Sequence, residues 1–534
     1  MKATAALANC AWLASSTPAW MRFLRALQRP EETQREILKR LLSRNSVSAY
    51  GRAYDFAGIR SYEAFRDRVP IVDYDDLEPW IARIMRGEES VLTREKVTRL
   101  VPTSGSSGAR KLIPFTSSLQ REFNAAIGPW MVDLCRENPS VPFGPAYWSI
   151  SPSIPAGSDE ESAVPIGFDE DSAYLGGVRK RLVEATFAAP SALRLITDTE
   201  AFRYATLLFL LRQPDLRLIS VWHPSFLTLL LDVLPAWWEE LLVDVATGDC
   251  PRVPAEVRRA LRRSPQPHFL QTLRRSNPAD PHTLWPHLQV VSCWGDAQAA
   301  LPCADLQKRL PRVTTQSKGL LATEAFVSIP FHGHHPLAIT SHFLEFVDEK
   351  GAVSLAHELR RREAYRVIVT TAGGLWRYRL GDIVEVDGFI AGTPSLRFLG
   401  RGSGVSDLCG EKLTEVFVTR AIATACASCG FAPAFAMLAP ERDTAGHWHY
   451  TIFLGEYPPA PFLPALEAEL RANPHYAICR ALSQLGPLRS FRATGTAYDA
   501  FCNASTWRGR RLGDIKPQSL SFRTDWRECF GARM

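Results

Sequence analysis

The sequence has no run of about 18 uninterrupted apolar residues, the length that a helix needs to cross a bilayer. We therefore expect no membrane-spanning segment. Lys and Arg also form no run dense enough for a nucleic-acid arm or a membrane-docking patch, and the net charge is only +6 over 534 residues. This balance fits small anionic ligands better than a polyanion, so we expect neither nucleic acid nor a membrane as a partner.

The cysteines show no pattern of a disulfide framework. They number 11, an odd count, and are scattered through apolar segments, as expected for reduced thiols in a cytoplasm. Cys426 and Cys429 form the one CxxC pair, and a zinc or redox site would need a second pair or a thioredoxin-like setting. At the start of the chain, residues 1–14 fit an amphipathic helix; a weak signal peptide is the alternative, although Asn9 interrupts its short apolar core.

The composition is that of an ordinary soluble globular protein, and the length predicts two or more domains. Helix signals at 33–42 and 226–233 alternate with strand signals at 216–222 and 288–294, which indicates parallel sheets covered by helices. From residue 365 to 389, short strands are separated by glycine-containing turns at Gly373-Gly374 and Gly381-Asp382. We interpret this part as antiparallel hairpins, with residues 375–378 as one strand.

The most linker-like stretch is 400–404, with three glycines in five residues. It places a domain boundary between an N-terminal domain, 1–402, and a C-terminal domain, 403–534. The remaining length after the boundary suffices for a small α+β domain.

The strongest chemical signal is a glycine- and hydroxyl-rich loop. It contains Thr103, Ser104, Gly105, Ser106, Ser107, Gly108 and Lys111, and residues 97–101 precede it as a strand that we expect to end at Pro102. Glycines let consecutive backbone N–H groups turn toward one anion, hydroxyls add donors, and the lysine adds charge. A Walker loop needs Gly-Lys-Ser/Thr, which is absent, so a P-loop kinase is disfavoured. A flexible Ser/Gly linker is the alternative, but an apolar segment continues directly from Lys111.

This loop resembles the [Ser/Thr]-Ser-Gly-[Ser/Thr]-[Ser/Thr]-Gly-x-x-Lys signature of the adenylate-forming superfamily, which includes acyl-CoA synthetases, luciferases and peptide-synthetase adenylation domains. Four further segments follow in the superfamily's order: 292–296, 319–324, 376–382 and 400–401. The resemblance implies ATP and Mg²⁺ as cofactors. It also implies a fold with two αβα sheets and a β-barrel in a large N-terminal domain, followed by a small mobile α+β domain.

The resemblance assigns a role to each segment. Gly295 and Asp296 would hold adenine, although an ordinary strand-to-turn junction explains them equally well. Thr323 would meet the α-phosphate and Glu324 would bind Mg²⁺, since a hard cation prefers carboxylate oxygen; the apolar residues after Glu324 predict that it is buried. The aromatic residue that commonly stacks on adenine is missing from this segment.

Asp382 would accept hydrogen bonds from the ribose hydroxyls, with a plain hairpin turn as the alternative, and Arg401 would reach the ribose or phosphate. Lys516, near the C-terminus, is the candidate catalytic cation, because a fixed ammonium stabilises the negative charge that moves onto phosphate oxygens. A solvated surface lysine is the alternative. The sequence 331–335, with three histidines, looks like a metal cluster, but adjacent histidines rarely point at one ion, and we expect an exposed loop.

Within the superfamily, the chain is similar to the Gretchen Hagen 3 family of acyl-acid amido synthetases. The similarity runs from about residue 30 to the C-terminus and includes 221–225, 343–346, 387–389, 410–415 and 473–476. The loop spacing before Lys111 differs from plant members by one residue, which indicates a bacterial-type relative. The family implies adenylation of a carboxylic acid and transfer of the acyl group to an amine, for which an amino acid is the expected acceptor. Coenzyme A as acceptor, and a decayed synthetase that only binds nucleotide, are the alternatives.

Overall fold

A computed structural model describes residues 2–104, 110–150, 162–167, 177–402, 405–443, 447–493, 497–506 and 518–531. The helices are α1 Lys2–Ala26, α2 Pro30–Asn45, α3 Ala49–Ala53, α4 Tyr62–Arg68, α5 Tyr74–Met85, α6 Ser117–Glu137, α7 Gly177–Glu184, α8 Thr199–Leu211, α9 Pro224–Thr247, α10 Ala255–Leu261, α11 Pro267–Arg274, α12 Pro281–Leu284, α13 Ala300–Arg309, α14 Glu415–Cys429, α15 Phe462–Arg471, α16 Pro474–Ala481, α17 Ala497–Thr506 and α18 Trp526–Gly531.

The strands are β1 Arg99–Ser104, β2 Arg110–Phe115, β3 Ala146–Trp148, β4 Leu218–Ser220, β5 Val290–Cys293, β6 Thr314–Ser317, β7 Phe343–Val347, β8 Val353–Leu355, β9 Ala364–Thr370, β10 Tyr378–Ile390, β11 Thr393–Arg401, β12 Val405–Ser406, β13 Leu413–Thr414, β14 Ala436–Arg442, β15 Trp448–Leu454 and β16 Arg489–Arg492. Among the described helices, none is at once long and apolar enough to cross a membrane.

The chain divides into two compact units. The first comprises Met1–Val221, Leu230–Ser292 and Arg312–Phe398, and the second comprises Trp222–Leu229, Cys293–Pro311 and Leu399–Met534. The boundary expected at 402/403 remains a prediction.

A four-stranded sheet in the order β3-β4-β5-β6 lies in the first unit, and β3, β4 and β5 run parallel. Helices separate these strands in sequence, as a parallel sheet requires. Every residue of β4 and β5 is buried, because a parallel sheet is covered on both faces. The mixed α/β class is therefore confirmed.

The N-terminal helix is confirmed as well, and it extends further than the sequence indicated. It packs against α6, where an added Cβ on Gly128 would lie 3.2 Å from the Cβ of Ala19. Phe23, near the end of α1, is fully buried. The small glycine therefore lets the two helices approach closely.

The antiparallel region is a five-stranded sheet in the order β11-β10-β9-β7-β8. Two expectations were wrong here. Residues 375–378 are not a strand of their own, because Leu375 closes a turn with Thr371 and the indole of Trp376 donates to the carbonyl of Leu92. Gly381-Asp382 is not a hairpin turn but an irregularity inside β10. Closure of this sheet into a barrel stays a prediction.

The glycine-rich loop connects an antiparallel hairpin, β1 with β2. We expected Pro102 to end β1, but it lies within the strand, opposite Leu112. Both strands of a two-stranded sheet are edge strands. Proline, which has no backbone N–H, is tolerated there because no third strand requires a hydrogen bond from that position. The apolar residues Phe115, Leu119 and Phe123 pack beneath this hairpin.

The second unit contains a three-stranded sheet in the order β14-β15-β16, in which β14 and β15 are antiparallel and β15 and β16 are parallel. One side of this sheet packs with α14 and α15, and the other packs with α17 and α18 through Trp526 and Phe530. This is an α+β arrangement, as the sequence predicted.

Candidate active site

The Thr-Glu element forms a tight turn. The N–H of Ala322 donates to the carbonyl of Ala325 at 3.0 Å, and Thr323 and Glu324 lie at the tip between them. Gly319 precedes this turn at a place where no larger residue fits, because a Cβ would lie 2.3 Å from the carbonyl oxygen of Ser328. The predicted burial of Glu324 is confirmed, with 8% of the residue exposed.

The glycine-rich hairpin reaches this turn. The hydroxyl of Thr103, near the end of β1, lies 3.4 Å from Oε1 of Glu324, across 221 positions of sequence. An O–H···O hydrogen bond is ordinarily about 2.7–2.8 Å long, so the two groups are neighbours rather than a tight pair. The structure therefore brings together one residue from each of the two strongest sequence motifs.

Lys111 lies directly opposite Thr103 in the hairpin register. Its ammonium is 5.6 Å from the centre of the Tyr74 ring, and the hydroxyl of Tyr74 accepts the N–H of Leu112 at 2.8 Å. Lys111 thus lies on β2, the strand that follows the loop, with its side chain beside the face of the Tyr74 ring. Ser104 ends β1, and Gly105, Ser106, Ser107 and Gly108 lie outside the described residues.

Asp382 lies in the irregular part of β10. The pairing with β9 shifts register between Arg379 and Ile383, and Gly381 has φ +85°, a value that glycine adopts without strain. Asp382 is only 1% exposed. A bulge re-aims the side chain beside it, and here that side chain is a buried carboxylate.

A buried lysine, which the sequence reasoning missed, lies at the carboxyl edge of the parallel sheet. Lys318 is 4% exposed, and its ammonium donates to Oγ of Ser220 at 2.8 Å and to both the carbonyl and the Oγ of Ser292, at 3.0 and 3.1 Å. Gln316 extends the group by accepting from the indole N–H of Trp130 at 2.9 Å. Ligands of open α/β sheets bind at this edge, so the cluster lies where substrate is expected.

The only sequence signal for Lys318 was its place directly before Gly319. Its partners lie on β4 and β5, and no spacing rule links them to it. The indole of Trp130 belongs to the same cluster, because its N–H donates to Gln316 and the ammonium of Lys318 lies 5.3 Å from the centre of its ring.

Gly295 and Asp296 belong to the second unit and lie between the end of β5 and a short 3₁₀ helix, Ala297–Ala299. The preceding residue, Trp294, donates its N–H to the carbonyl of Trp222 at 2.8 Å, and the two indoles lie 5.8 Å apart. His223 stacks on Tyr498 with ring centres 5.0 Å apart. Burial lowers the pKa of His223 to about 3, so its imidazole is neutral near pH 7.

Arg401 is the last residue of β11 and also belongs to the second unit. Lys516, the candidate catalytic cation, lies outside the described residues. The structure thus juxtaposes Thr103, Lys111 and Glu324 in the first unit. Gly295, Asp296 and Arg401 are placed in the second.

Two models of protein-family domains match the chain. Residues 19–313, more than half of the protein, match the GH3 family N-terminal domain, and residues 335–401 match the GH3 family central domain. The chain belongs to the GH3 family. The resemblance drawn from the sequence is thereby confirmed.

Named relatives of this GH3 protein share limited sequence identity with it. Indole-3-acetic acid-amido synthetase GH3.5 of Arabidopsis thaliana is 25% identical over 438 residues, which cover 74% of this chain and 71% of the relative. Among solved structures, AtGH3.15 acyl acid amido synthetase in complex with 2,4-DB matches with a TM-score of 0.84 at 18% identity, covering 97% of this chain and 96% of that one. A 2-hydroxyisobutyryl-CoA ligase in complex with 2-HIB-AMP matches with a TM-score of 0.52 at 13% identity, covering 95% and 91%. These two structures establish the likeness of fold to adenylate-forming ligases.

Proposed function

We propose that this GH3 protein is an acyl-acid amido synthetase, which uses ATP to activate a carboxylic acid and transfers the acyl group to an amino acid. The observation that carries the proposal is the approach of Thr103 to Glu324, which joins the glycine-rich hairpin to the Thr-Glu turn. A phosphate loop and a buried carboxylate at this separation are the parts that a binding site for a nucleoside triphosphate requires. The GH3 relatives that are named amido synthetases support the amine as acceptor.

In the first step, a carboxylate oxygen of the acid attacks the α-phosphorus of ATP. The bond from this phosphorus to the bridging oxygen breaks, and pyrophosphate leaves. The backbone amides and hydroxyls of the loop 103–108 and the ammonium of Lys111 hold the phosphates, and Thr323 contacts the α-phosphate. Lys516 stabilises the charge that develops on the phosphate oxygens.

The nucleoside part is held by further residues of the proposal. Asp382 accepts hydrogen bonds from the ribose hydroxyls, and Gly295 with Asp296 borders adenine. Arg401 contacts the ribose or phosphate. The burial of Asp382 supports its role, because a carboxylate held in a low-dielectric place forms strong hydrogen bonds to hydroxyl donors.

The residues around Glu324 fit a Mg²⁺ ion. A buried carboxylate with a hydroxyl 3.4 Å away offers the hard oxygen donors that this ion prefers. When bound, Mg²⁺ neutralises phosphate charge. Glu324 would hold it, and the hydroxyl of Thr103 remains close enough to orient the same phosphate.

In the second step, the amine nitrogen attacks the acyl carbon of the acyl-adenylate. An amide bond forms, AMP leaves, and the amine proton passes to solvent. We propose that the C-terminal domain, 403–534, moves between the two steps, so that the same active site stabilises first the adenylation and then the acyl-transfer transition state.

Pyrophosphate release tests the proposal. The protein is incubated with ATP, Mg²⁺ and a panel of aromatic and aliphatic acids, with and without pooled amino acids and, separately, with coenzyme A. We expect acid-dependent release that amino acids accelerate, and an amide in the mass spectrum. A thioester that forms only with coenzyme A would move the protein to the acid–CoA ligases, and nucleotide binding with no release for any acid would contradict the adenylation step.

A variant at Glu324 tests the site. Glu324→Gln keeps the size but removes the charge, and we expect release to fall roughly 10²-fold, because several kcal/mol of metal-dependent charge stabilisation are lost. Excess Mg²⁺ should restore part of the rate. The matched control is Glu349→Gln, an exposed carboxylate in the turn between β7 and β8, which should leave the rate unchanged. Equal rates in the two variants would contradict the assignment of Glu324.

A further inference from the structure

A tight hairpin loop follows the Thr-Glu turn in the first unit and presents a histidine to α6. Phe331 and His334 exchange two backbone hydrogen bonds, of 2.9 and 3.0 Å, so His332 and Gly333 form a two-residue loop. The loop is exposed, as the sequence predicted. His335 makes a different contact from His332, because its Nε2 lies 2.9 Å from the carbonyl oxygen of Ser317.

Two carboxylates near the C-terminal end of α6, those of Asp133 and Glu137, lie close to His332. The N–H of His332 donates to Oδ2 of Asp133 at 2.9 Å. Its ring Nδ1 lies 3.2 Å from Oε1 of Glu137 and 3.5 Å from Oδ1 of Asp133. One ligand atom of each residue lies within 4.8 Å of the other two. This is the only such group of His, Cys, Asp and Glu among the residues that the structure describes.

The carboxylate of Asp133 provides an independent indication of a ligand. The residue is 2% exposed, and within the described part of the chain its Oδ1 has no hydrogen-bond partner. Leaving a buried polar atom unsatisfied costs about 1–3 kcal/mol, and more when the group is charged. Oδ1 lies 3.5 Å from Nδ1 of His332, and a cation held between Asp133, Glu137 and His332 would satisfy it.

We propose that Asp133, Glu137 and His332 bind a divalent transition-metal ion of the zinc type. One imidazole nitrogen and two carboxylate oxygens suit Zn²⁺ or Co²⁺, whereas Mg²⁺ and Ca²⁺ prefer oxygen ligands alone. Water would complete the coordination. The ion would join the end of α6 to the loop at His332, and the site shares no residue with the proposed Mg²⁺ site at Glu324.

Co²⁺ is the probe of choice, because the 11 free cysteines would also take up Zn²⁺. Thiolate-bound Co²⁺ shows an intense near-ultraviolet charge-transfer band that a site of nitrogen and oxygen ligands lacks. Titration of the metal-free full chain, followed by calorimetry and visible absorption, should give one Co²⁺ per chain without that band. Binding confined to species that show the thiolate band would overturn the proposal.

Two variants and a control locate the ion. His332→Asn suits the loop, because φ at this position is +48° and asparagine tolerates the left-handed region. Glu137→Gln changes an exposed residue and should fold normally. Each should weaken Co²⁺ binding at least tenfold, whereas His334→Asn, in the same exposed loop, should not. Unchanged affinity in both Glu137→Gln and His332→Asn would overturn the proposal, whatever the enzymatic activity.

Discussion

Removing the guanidinium of Arg377 should loosen the strand that carries Asp382. Arg377 is 3% exposed and Glu345 is 1% exposed, and they form a buried ion pair in which Nη2 lies 2.8 Å from Oε1. Nε donates to both carboxylate oxygens, at 3.2 and 3.0 Å. Nη1 donates to the carbonyls of Arg66 and Val69. Arg377 therefore connects β7 and the C-terminal end of α4 to the start of β10.

The magnitude follows from what the substitution leaves behind. In Arg377→Met, Glu345 keeps only the hydroxyl of Tyr62, at 2.9 Å, from this set of donors. Breaking a buried pair from one side typically costs about 3–5 kcal/mol, because the remaining charge is uncompensated. Methionine retains an apolar stem of similar length. It meets the same left-handed φ of +47° as arginine does, so backbone strain does not account for the change.

Hydrogen exchange measured by mass spectrometry is the suitable assay, because a protein of this size need not unfold in one step. Amides of β9 and β10 should exchange roughly 10²–10⁴-fold faster, since each 1.4 kcal/mol is about a factor of ten. The control is Arg397→Met. Arg397 pairs with Glu385 at 2.7 Å but is more than half exposed, and its loss should cost below about 1 kcal/mol.

A double variant completes the test. In Arg377→Met combined with Glu345→Leu, both charges are removed, and the double variant should be less destabilised than Arg377→Met alone. If Arg377→Met changed exchange no more than Arg397→Met does, the buried pair would not stabilise this region. If the double variant exchanged faster than Arg377→Met alone, the account based on an uncompensated charge would be refuted.

Three further predictions concern a histidine, the thiols and the proposed catalytic cation, Lys516. Burial lowers the pKa of His223 in the folded protein to about 3. Because the unfolded chain binds this proton more readily, the contribution of neutral His223 to the free energy of unfolding is full above about pH 6.5 and is lost as the pH falls toward 3. His223→Phe should flatten the acid-unfolding profile over that range, and an unchanged profile would contradict this. Burial raises the pKa of Cys135 to about 12, so mass spectrometry at pH 8 should show alkylation of the exposed Cys10 well before that of Cys135. Lys516→Ala should slow pyrophosphate release roughly 10²–10³-fold with an unchanged circular dichroism spectrum, and a near-normal rate would remove Lys516 from the mechanism.

Local elements of the fold could be predicted because short-range patterns determine them. The helix expected at 33–42 is the centre of α2, and the strand expected at 288–294 contains β5. The errors occurred where tertiary pairing overrides a local signal. Gly381-Asp382 has the composition of a turn, but β10 continues through it because strands on both sides pair with β9 and β11. Pro102 similarly fits an edge strand that the sequence alone did not reveal.

The candidate site could be predicted only in part, because its contacts join residues that are far apart in the sequence. The family resemblance supplied Thr103 and Glu324, but their contact spans 221 positions and follows from no spacing rule. The polar cluster around Lys318 could not be predicted either, because Ser220 and Ser292 are ordinary residues at the ends of two strands. They become ligands of an ammonium only when β4 and β5 lie side by side in the sheet.

The same cluster explains how the Thr-Glu turn is held. Lys318 is fixed by three hydrogen bonds at the carboxyl edge of the sheet, and Gly319 then passes against the backbone of Ser328. The Oγ of Ser328 accepts the N–H of Leu320 at 2.9 Å, which closes the base of the turn. Glu324 is therefore carried on a short hairpin whose root is anchored in the sheet. Because a charge that is fixed before the reaction costs no reorganisation during it, this anchoring suits the carboxylate for the Mg²⁺-binding role proposed for it.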